Sequence, residues 1–284
     1  MSLKSRLMMP LLGIAMLITI ASLAMFAVTL GNLAWLGAAL AAGALPAYMF
    51  AVMGSGKVAR TSASLPVVQL GAAIGLALAA WKLLSSGAPG NASSCLPLGL
   101  ALAGYLVMQW YVWVYSRYGR KTGVAIVIGQ ALPEVSFETL DGGAVSISDF
   151  KGSKALIVFF RGNWCPLCKA QLKEVRDRAD ALAGAGVQVK FVSNQSAAFS
   201  RELAGELDLP DHMEVLVDTD LKAASALSLV DAGGTPPGMK LYPADTVMAT
   251  VIALDAEGRV IFGDETDNYR VRPHPDKFMP VLVG

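Results

Sequence analysis

Arg161-Gly-Asn-Trp-Cys-Pro-Leu-Cys168 follows directly on Ala155–Phe160 (ALIVFF), and these two stretches decide the fold of the second half of the chain. An uninterrupted apolar run of this length is typical of a strand that is buried on both faces of a sheet. After Cys168, apolar side chains recur at steps of three and four, which predicts a helix, and Pro166 suits its first turn. The two cysteines therefore lie at a strand-to-helix junction.

The pair Cys165 and Cys168 stands three residues apart, so both side chains lie on one face of the helix and can close a disulfide. A thiolate is the reactive form of cysteine, and the unpaired N–H groups and dipole of a helix N-terminus stabilise it. Arg161 and Lys169 add positive charge, and Trp164 either shields the disulfide, forms a docking surface or simply packs. The motif predicts a redox dithiol with Cys165, Cys168, Arg161 and Trp164 as the catalytic group.

A zinc site is the other common use of a C-x-x-C pair, and it needs two further ligands. The second half of the chain offers only His212 and His274, which are not spaced as a ligand pair. No flavin, haem or metal motif is visible. We therefore predict thiol chemistry without a cofactor or a metal.

Strands and helices alternate around this junction, which predicts an α/β domain with a central mixed sheet. The predicted strands are 135–139, 145–147, 155–160, 187–193, 214–217, 246–254 and 259–262. The predicted helices are 168–182, 197–207, 221–227 and 276–282.

Three stretches resemble the peroxiredoxin-like (AhpC/TSA, redoxin) branch of the thioredoxin superfamily, over about residues 129–284. They are GQALPEVSFETLDGGAVSISDFKG with the ALIVFF and RGNWCPLCKAQL that follow (within Gly129–Leu172), MATVIALDAEGRV (Met248–Val260) and DNYRVRP (Asp267–Pro273). The resemblance implies a thioredoxin-like fold and an antioxidant thiol oxidoreductase. It also implies a peroxide or disulfide substrate and an external dithiol reductant such as a thioredoxin-type protein.

The resemblance leaves two assignments of the attacking thiol. In the P-x-x-x-T-x-x-C pattern of peroxiredoxins, the three fixed positions are Arg161, Cys165 and Cys168 here, so that Cys168 attacks. In the W-C-x-x-C pattern of thioredoxins, Cys165 attacks and Cys168 resolves. We expect Cys165 to attack, because a residue that caps the helix should be more exposed than one that begins its apolar face.

Positions that activate the thiol in the two parent families hold other residues in this sequence. The arginine beside the peroxiredoxin thiolate is Met248, the cis-proline of thioredoxins is Ala249, and the buried thioredoxin aspartate is Phe159. Arg270 and Arg272 are the candidates to replace the missing arginine.

The first 123 residues have a different composition. The whole chain is 54% hydrophobic and 16% charged, against about 25% charged for an average soluble domain. All 22 acidic residues lie at or after Glu134. Four apolar runs precede it, each of about 20 residues and therefore long enough to cross a hydrocarbon core of roughly 30 Å. We predict a membrane domain over 1–123, with transmembrane helices at about 7–30, 33–53, 65–84 and 96–115, and a thioredoxin-like redox domain over 124–284.

Basic residues give these predicted spans an orientation. All but one of those in 1–123 lie before the first run, between the second and third, and after the fourth, which are all on one side of a four-span chain; the exception is Lys82, near the outer end of the third run. The others are Lys4, Arg6, Lys57, Arg60, Arg117, Arg120 and Lys121. The opposite connections, Gly31-Asn32 and Ser85–Ser94, carry no charge. The positive-inside rule therefore predicts that the redox domain lies in the cytoplasm. Together with the four apolar runs, it predicts an integral protein of the inner membrane. We expect the lipid bilayer as a partner and no role for nucleic acid.

Two functions fit the sequence. The first is a membrane-anchored oxidoreductase that reduces peroxides or disulfides through the dithiol. The second is a redox sensor in which the state of the C-x-x-C pair regulates the membrane domain or a partner.

Small residues inside the four apolar runs predict close packing of the membrane helices. They are Gly37, Ala41, Gly43, Gly71 and Gly75.

Overall fold

The computed structural model describes residues 3–86 and 92–284, which form two compact units. One unit comprises Leu3–Ser55 and Ser62–Arg117, and the other comprises Gly56–Thr61 and Tyr118–Gly284. The second unit begins ahead of the boundary expected at residue 124, and it includes a short segment from the first half of the chain.

Four helices make up the described part of the first unit, and each is long and apolar enough to cross a membrane. They are α1 (Leu3–Val28), α2 (Leu33–Ser55), α3 (Pro66–Ser85) and α4 (Ala92–Trp110), the last continued by a π-helical turn at Tyr111–Tyr115. These bounds lie within a few residues of the expected runs. Residues 87–91 of the expected uncharged connection Ser85–Ser94 lie outside the described residues.

Small residues bring helices of this unit into backbone contact. A Cβ atom on Gly37 would lie 2.5 Å from the carbonyl oxygen of Gly75, and one on Gly75 would lie 2.5 Å from the nitrogen of Ala41. A Cβ atom on Gly43 would lie 3.1 Å from a threonine methyl group of α1. These contacts confirm the expected close packing. The expectation is wrong for Gly71, where an added Cβ atom would meet nothing within 4 Å.

The second unit alternates strands and helices, as the sequence predicts. The strands are β1 (Ser136–Glu138), β2 (Ala144–Ser146), β3 (Ala155–Phe159), β4 (Gln188–Ser193), β5 (Met213–Val217), β6 (Val230–Asp231), β7 (Thr246–Val247), β8 (Thr250–Leu254) and β9 (Val260–Asp264). The helices are α5 (Pro166–Arg176), α6 (Ala179–Gly184), α7 (Ala197–Leu207), α8 (Lys222–Ala226) and α9 (Met279–Val283), with 3-10 turns at Ile147–Phe150 and Pro275–Lys277.

Among the described residues, a seven-stranded mixed sheet in the order β2-β1-β5-β4-β3-β8-β9 forms the core of this unit. The central strand β3 pairs in parallel with β4 and antiparallel with β8, and all five of its residues are buried. This arrangement is the thioredoxin-like α/β domain with a mixed sheet that the sequence predicts.

Two expected elements are interrupted in the structure. The helix expected at 168–182 is divided into α5 and α6, because the backbone of Arg178 (φ −103°, ψ 13°) leaves the helical conformation. The strand expected at 246–254 is divided because β7 pairs with β6, whereas β8 pairs with β3. Met248 and Ala249 form the joint between β7 and β8. This joint lies beside the end of β3, where the segment with the dithiol begins.

Candidate active site

The dithiol lies where α5 begins. Cys165 caps the helix with an extended backbone (φ −97°, ψ 103°), Pro166 occupies the first turn, and Cys168 lies on the buried side of the same turn. The exposed fraction is 3% for Cys165 and 0% for Cys168. Cys165 is the more exposed thiol, as expected, but only by this small margin, because both residues are buried beneath the surrounding chain.

Arg272 lies against both sulfurs of the dithiol. Its Nη2 lies 3.3 Å from Sγ of Cys168 and 3.7 Å from Sγ of Cys165. Its Nη1 donates a hydrogen bond of 2.9 Å to Oε1 of Gln171, and its Nε donates one of 3.1 Å to the carbonyl of Tyr269. These bonds hold the guanidinium group in one orientation. Arg272 thus brings to the sulfurs the positive charge that the family resemblance leads one to expect at the position of Met248.

Arg270 faces another partner. Its Nη1 donates a hydrogen bond of 3.0 Å to Oγ1 of Thr61, and the backbone N–H of Thr61 donates one of 2.9 Å to the carbonyl of Arg270. Of the two candidates from the sequence, the structure therefore places Arg272 at the sulfurs and uses Arg270 to bind the segment Gly56–Thr61.

Arg161 contributes both its backbone and its side chain. Its backbone N–H donates a hydrogen bond of 3.4 Å to Sγ of Cys168. Its buried guanidinium group lies 3.3 Å from a carboxylate oxygen of Asp231, and it stacks at 4.9 Å on Trp164 and 5.0 Å on Tyr269. Cation–π contacts of this kind stabilise a desolvated arginine. Trp164 therefore acts on the site through Arg161.

This environment separates the pKa values of the two thiols. Burial opposes ionisation of Cys168, but the hydrogen bond from the Cys165 thiol, the charge of Arg272 and the backbone N–H of Arg161 outweigh it and lower its pKa to about 5. Burial raises the pKa of Cys165 well above that of an ordinary thiol, and the hydrogen bond and charge shared with Cys168 raise it further. At neutral pH, Cys168 is a thiolate and Cys165 keeps its proton.

Three residues of this cluster were not among those selected from the sequence. Gln171 follows Cys168 by one helical turn, so a polar residue on the buried face of α5 was a usable signal. Asp231 and Tyr118 gave no local signal. The backbone N–H of Ala249 donates a hydrogen bond of 3.0 Å to the Tyr118 hydroxyl, and the charges of two site arginines act on this hydroxyl.

Comparisons with known proteins identify the family of this part of the chain. The profile of the Redoxin family matches residues 128–275, which is half of the chain. Chloroplastic peroxiredoxin Q of Oryza sativa subsp. japonica is 31% identical over 118 residues, covering 41% of this chain and 54% of that protein. Thioredoxin-like protein YneN of Bacillus subtilis (strain 168) is 34% identical over 126 residues, covering 41% and 71% respectively. The chain thus spans about half the length of the rice protein.

Among solved structures, peroxidoxin BcpB from Mycobacterium tuberculosis is similar to the second half of the chain. The two are 16% identical, with a TM-score of 0.45, and the match covers 55% of this chain and 96% of the other.

Proposed function

Because the chain belongs to the redoxin family, in its peroxiredoxin-like branch, we propose that it is a thiol peroxidase that works through Cys168 and Cys165. The observation that carries the proposal is the contact of Arg272 with both sulfurs, which stabilises a thiolate in a buried site. A small hydroperoxide reaches the fully buried Cys168 thiolate more easily than a protein disulfide does, whereas a protein reductant can attack the disulfide at the less deeply buried Cys165. The substrate class is therefore a hydroperoxide.

The two thiols carry the redox steps of the reaction. The Cys168 thiolate attacks one oxygen of the hydroperoxide, so that an S–O bond forms, the O–O bond breaks and an alcohol or water leaves after taking up a proton. The thiol of Cys165 then attacks the sulfenic acid on Cys168, and water leaves as the disulfide forms. An external dithiol protein of the thioredoxin type returns the two electrons by thiol–disulfide exchange.

This assignment reverses the roles that the sequence favours for the two cysteines. It rests on three donors that converge on Sγ of Cys168: the backbone N–H of Arg161, Nη2 of Arg272 and the thiol of Cys165. A thiol that donates its hydrogen bond to a neighbouring thiolate is poised to resolve the sulfenic acid. Arg161 and Trp164, which the sequence predicts in the catalytic group, support the thiolate in this proposal: the backbone N–H of Arg161 bonds to Sγ of Cys168, and the Arg161 guanidinium group stacks on Trp164.

Turnover in the presence of a reductant tests this proposal. With excess hydroperoxide and a thioredoxin reducing system, each full-length chain in detergent should consume many equivalents of peroxide, as measured by oxidation of the nicotinamide donor. A disulfide-bonded protein substrate, assayed side by side, should react more slowly. Consumption of a single equivalent per chain would contradict an enzymatic role, and faster turnover of the disulfide would contradict the substrate class.

We propose further that α1–α4 anchor the chain in the inner membrane, with the redox domain in the cytoplasm. Their length and apolar composition support this anchoring, and the basic residues that flank them support the orientation. A reporter that works only in the cytoplasm should be active when fused after Gly284 and inactive when fused after Ser86. Activity of a periplasm-only reporter after Gly284 would overturn the orientation.

One observation favours the second candidate function, a redox sensor. The segment Gly56–Thr61, which connects α2 to α3, belongs to the same compact unit as the site. Arg60 forms a two-pronged ion pair with Glu174 of α5, and Thr61 is hydrogen-bonded to Arg270, two residues before Arg272. A change in the charge of the dithiol would therefore act on Arg272, and the loop that contains Arg272 also binds the segment Gly56–Thr61 through Arg270. A sensor would be oxidised stoichiometrically in the turnover experiment.

A further inference from the structure

The hydroxyl of Tyr118 lies at the same end of the sheet as the dithiol. It accepts a hydrogen bond from the N–H of Ala249 in the joint between β7 and β8. The next residue, Thr250, is paired with Phe159 at the end of β3, two residues before Arg161. The charges of Arg161, Arg272 and Asp231 all act on this hydroxyl, and the charge of Arg272 is in turn affected by Cys168, Cys165 and Tyr118. These groups form one electrostatic cluster.

The N–H of Ala249 fixes the oxygen of Tyr118 as an acceptor and leaves the hydroxyl proton available. Within residues 3–86 and 92–284, no side chain or backbone group accepts that proton. A buried hydroxyl with an unused donor is suited to meet a substrate oxygen. The reaction proposed above creates such an oxygen when the O–O bond breaks.

We propose that Tyr118 is a catalytic residue that donates its hydroxyl proton to the departing oxygen of the hydroperoxide. This inference rests on the proposed peroxidase function and adds a proton donor to it. Tyr118 lies outside residues 128–275, the part of the chain that matches the family profile. The segment after α4 thus contributes a residue to the reaction.

The acidity of the group suits this role. Burial raises the pKa of Tyr118 to about 12, so the hydroxyl keeps its proton at neutral pH. The conjugate acid of a departing hydroxide is water, which is a much weaker acid than the tyrosine, so proton transfer from the tyrosine is favourable. Arg272 and Arg161 cannot replace it, because a guanidinium group donates hydrogen bonds but keeps its protons. The proton of Cys165 leaves with the water of the second step.

The proton balance closes over one cycle. The Cys168 thiolate takes one oxygen, the second oxygen leaves with the proton of Tyr118, and the tyrosine is left as a phenolate. Cys165 and the sulfenic acid then form the disulfide and release water. The phenolate regains a proton from solvent, which replaces the one that Cys168 released when it ionised.

The test is the variant Tyr118→Phe in the full-length protein, with Tyr242→Phe as the matched control. Tyr242 lies in the same domain, where its ring stacks on Phe199 at 4.5 Å, but its hydroxyl is not part of the cluster. Single-turnover oxidation by hydrogen peroxide should slow about a hundred-fold in Tyr118→Phe and remain unchanged in Tyr242→Phe. Oxidation by a peracid should proceed within a few-fold of the wild-type rate, because a departing carboxylate needs no proton.

Alkylation by iodoacetamide against pH reports whether the thiolate itself is intact, since this reaction needs no proton donor. Its rate and apparent pKa should be the same in Tyr118→Phe as in the wild type. Equal losses in alkylation and in both oxidations would show that Tyr118 only positions the site, and they would overturn the proposal. An unchanged rate with hydrogen peroxide would overturn it as well. A wild-type protein that no hydroperoxide oxidises would instead refute the peroxidase function, which separates the two failures.

Discussion

Replacement of Cys168 by serine is expected to slow the reaction with hydroperoxide by more than about a thousand-fold, because this change removes the attacking atom. Replacement of Cys165 by serine should leave one reaction per chain intact. In that variant, Arg272 and the backbone N–H of Arg161 still stabilise the Cys168 thiolate, whereas the resolving thiol is absent. The sulfenic acid on Cys168 should therefore persist.

Mass spectrometry after brief peroxide treatment and sulfenic-acid trapping locates the modified residue in each variant. Cys95→Ser is the matched control, since Cys95 lies in α4 and takes no part in the proposed reaction. Sulfenic acid on Cys165 in the Cys168→Ser protein, with none on Cys168 in the Cys165→Ser protein, would restore the thioredoxin-type assignment.

The parts of the fold with local signals could be predicted from the sequence. The continuous apolar run of β3 identified a central strand, and the polar helix predicted at 197–207 has the bounds of α7, Ala197–Leu207. The break between β7 and β8 could not be predicted, because it depends on distant partners. The N–H of Met248 bonds to the carbonyl of Leu229, and the N–H of Ala249 bonds to a hydroxyl 131 residues earlier.

The residues of the site likewise include some with a local signal in the sequence and others whose role depends on the tertiary fold. The C-x-x-C pair at a helix N-terminus identified the dithiol, since its chemistry follows from local geometry. The choice between Arg270 and Arg272 needed the tertiary fold, because two residues of one short loop face different partners. The burial of Cys165 could not be predicted, because a capping position is exposed only when no other segment covers it. Here Arg272, over a hundred residues away in sequence, lies against both sulfurs.

The second large effect is expected from Arg272→Met, which removes the charge but keeps much of the length of the side chain. The thiolate of Cys168 then loses its closest charged donor, so its pKa should rise toward that of a free thiol, about 8.5. In the wild type, the rate with peroxide should be constant above pH 6 and fall as the pH drops through about 5, because protonation removes the thiolate. In the variant, this loss of rate should move to higher pH.

At pH 7, the Arg272→Met protein should therefore react about ten- to a hundred-fold more slowly, with part of the rate recovered as the pH approaches 9. Rates of alkylation and of peroxide oxidation against pH, measured on the same samples, check this shift. Arg178→Met is a suitable control, because Arg178 is an exposed arginine whose ion pair with Asp276 is also exposed.

Arg272→Lys should retain part of the stabilisation of the thiolate, since an ammonium group keeps the charge but not the two-pronged geometry that reaches Gln171 and the sulfurs together. An unchanged pH profile in Arg272→Met would mean that the backbone N–H of Arg161 and the thiol of Cys165 suffice to stabilise the thiolate, and the central role assigned to Arg272 would be wrong.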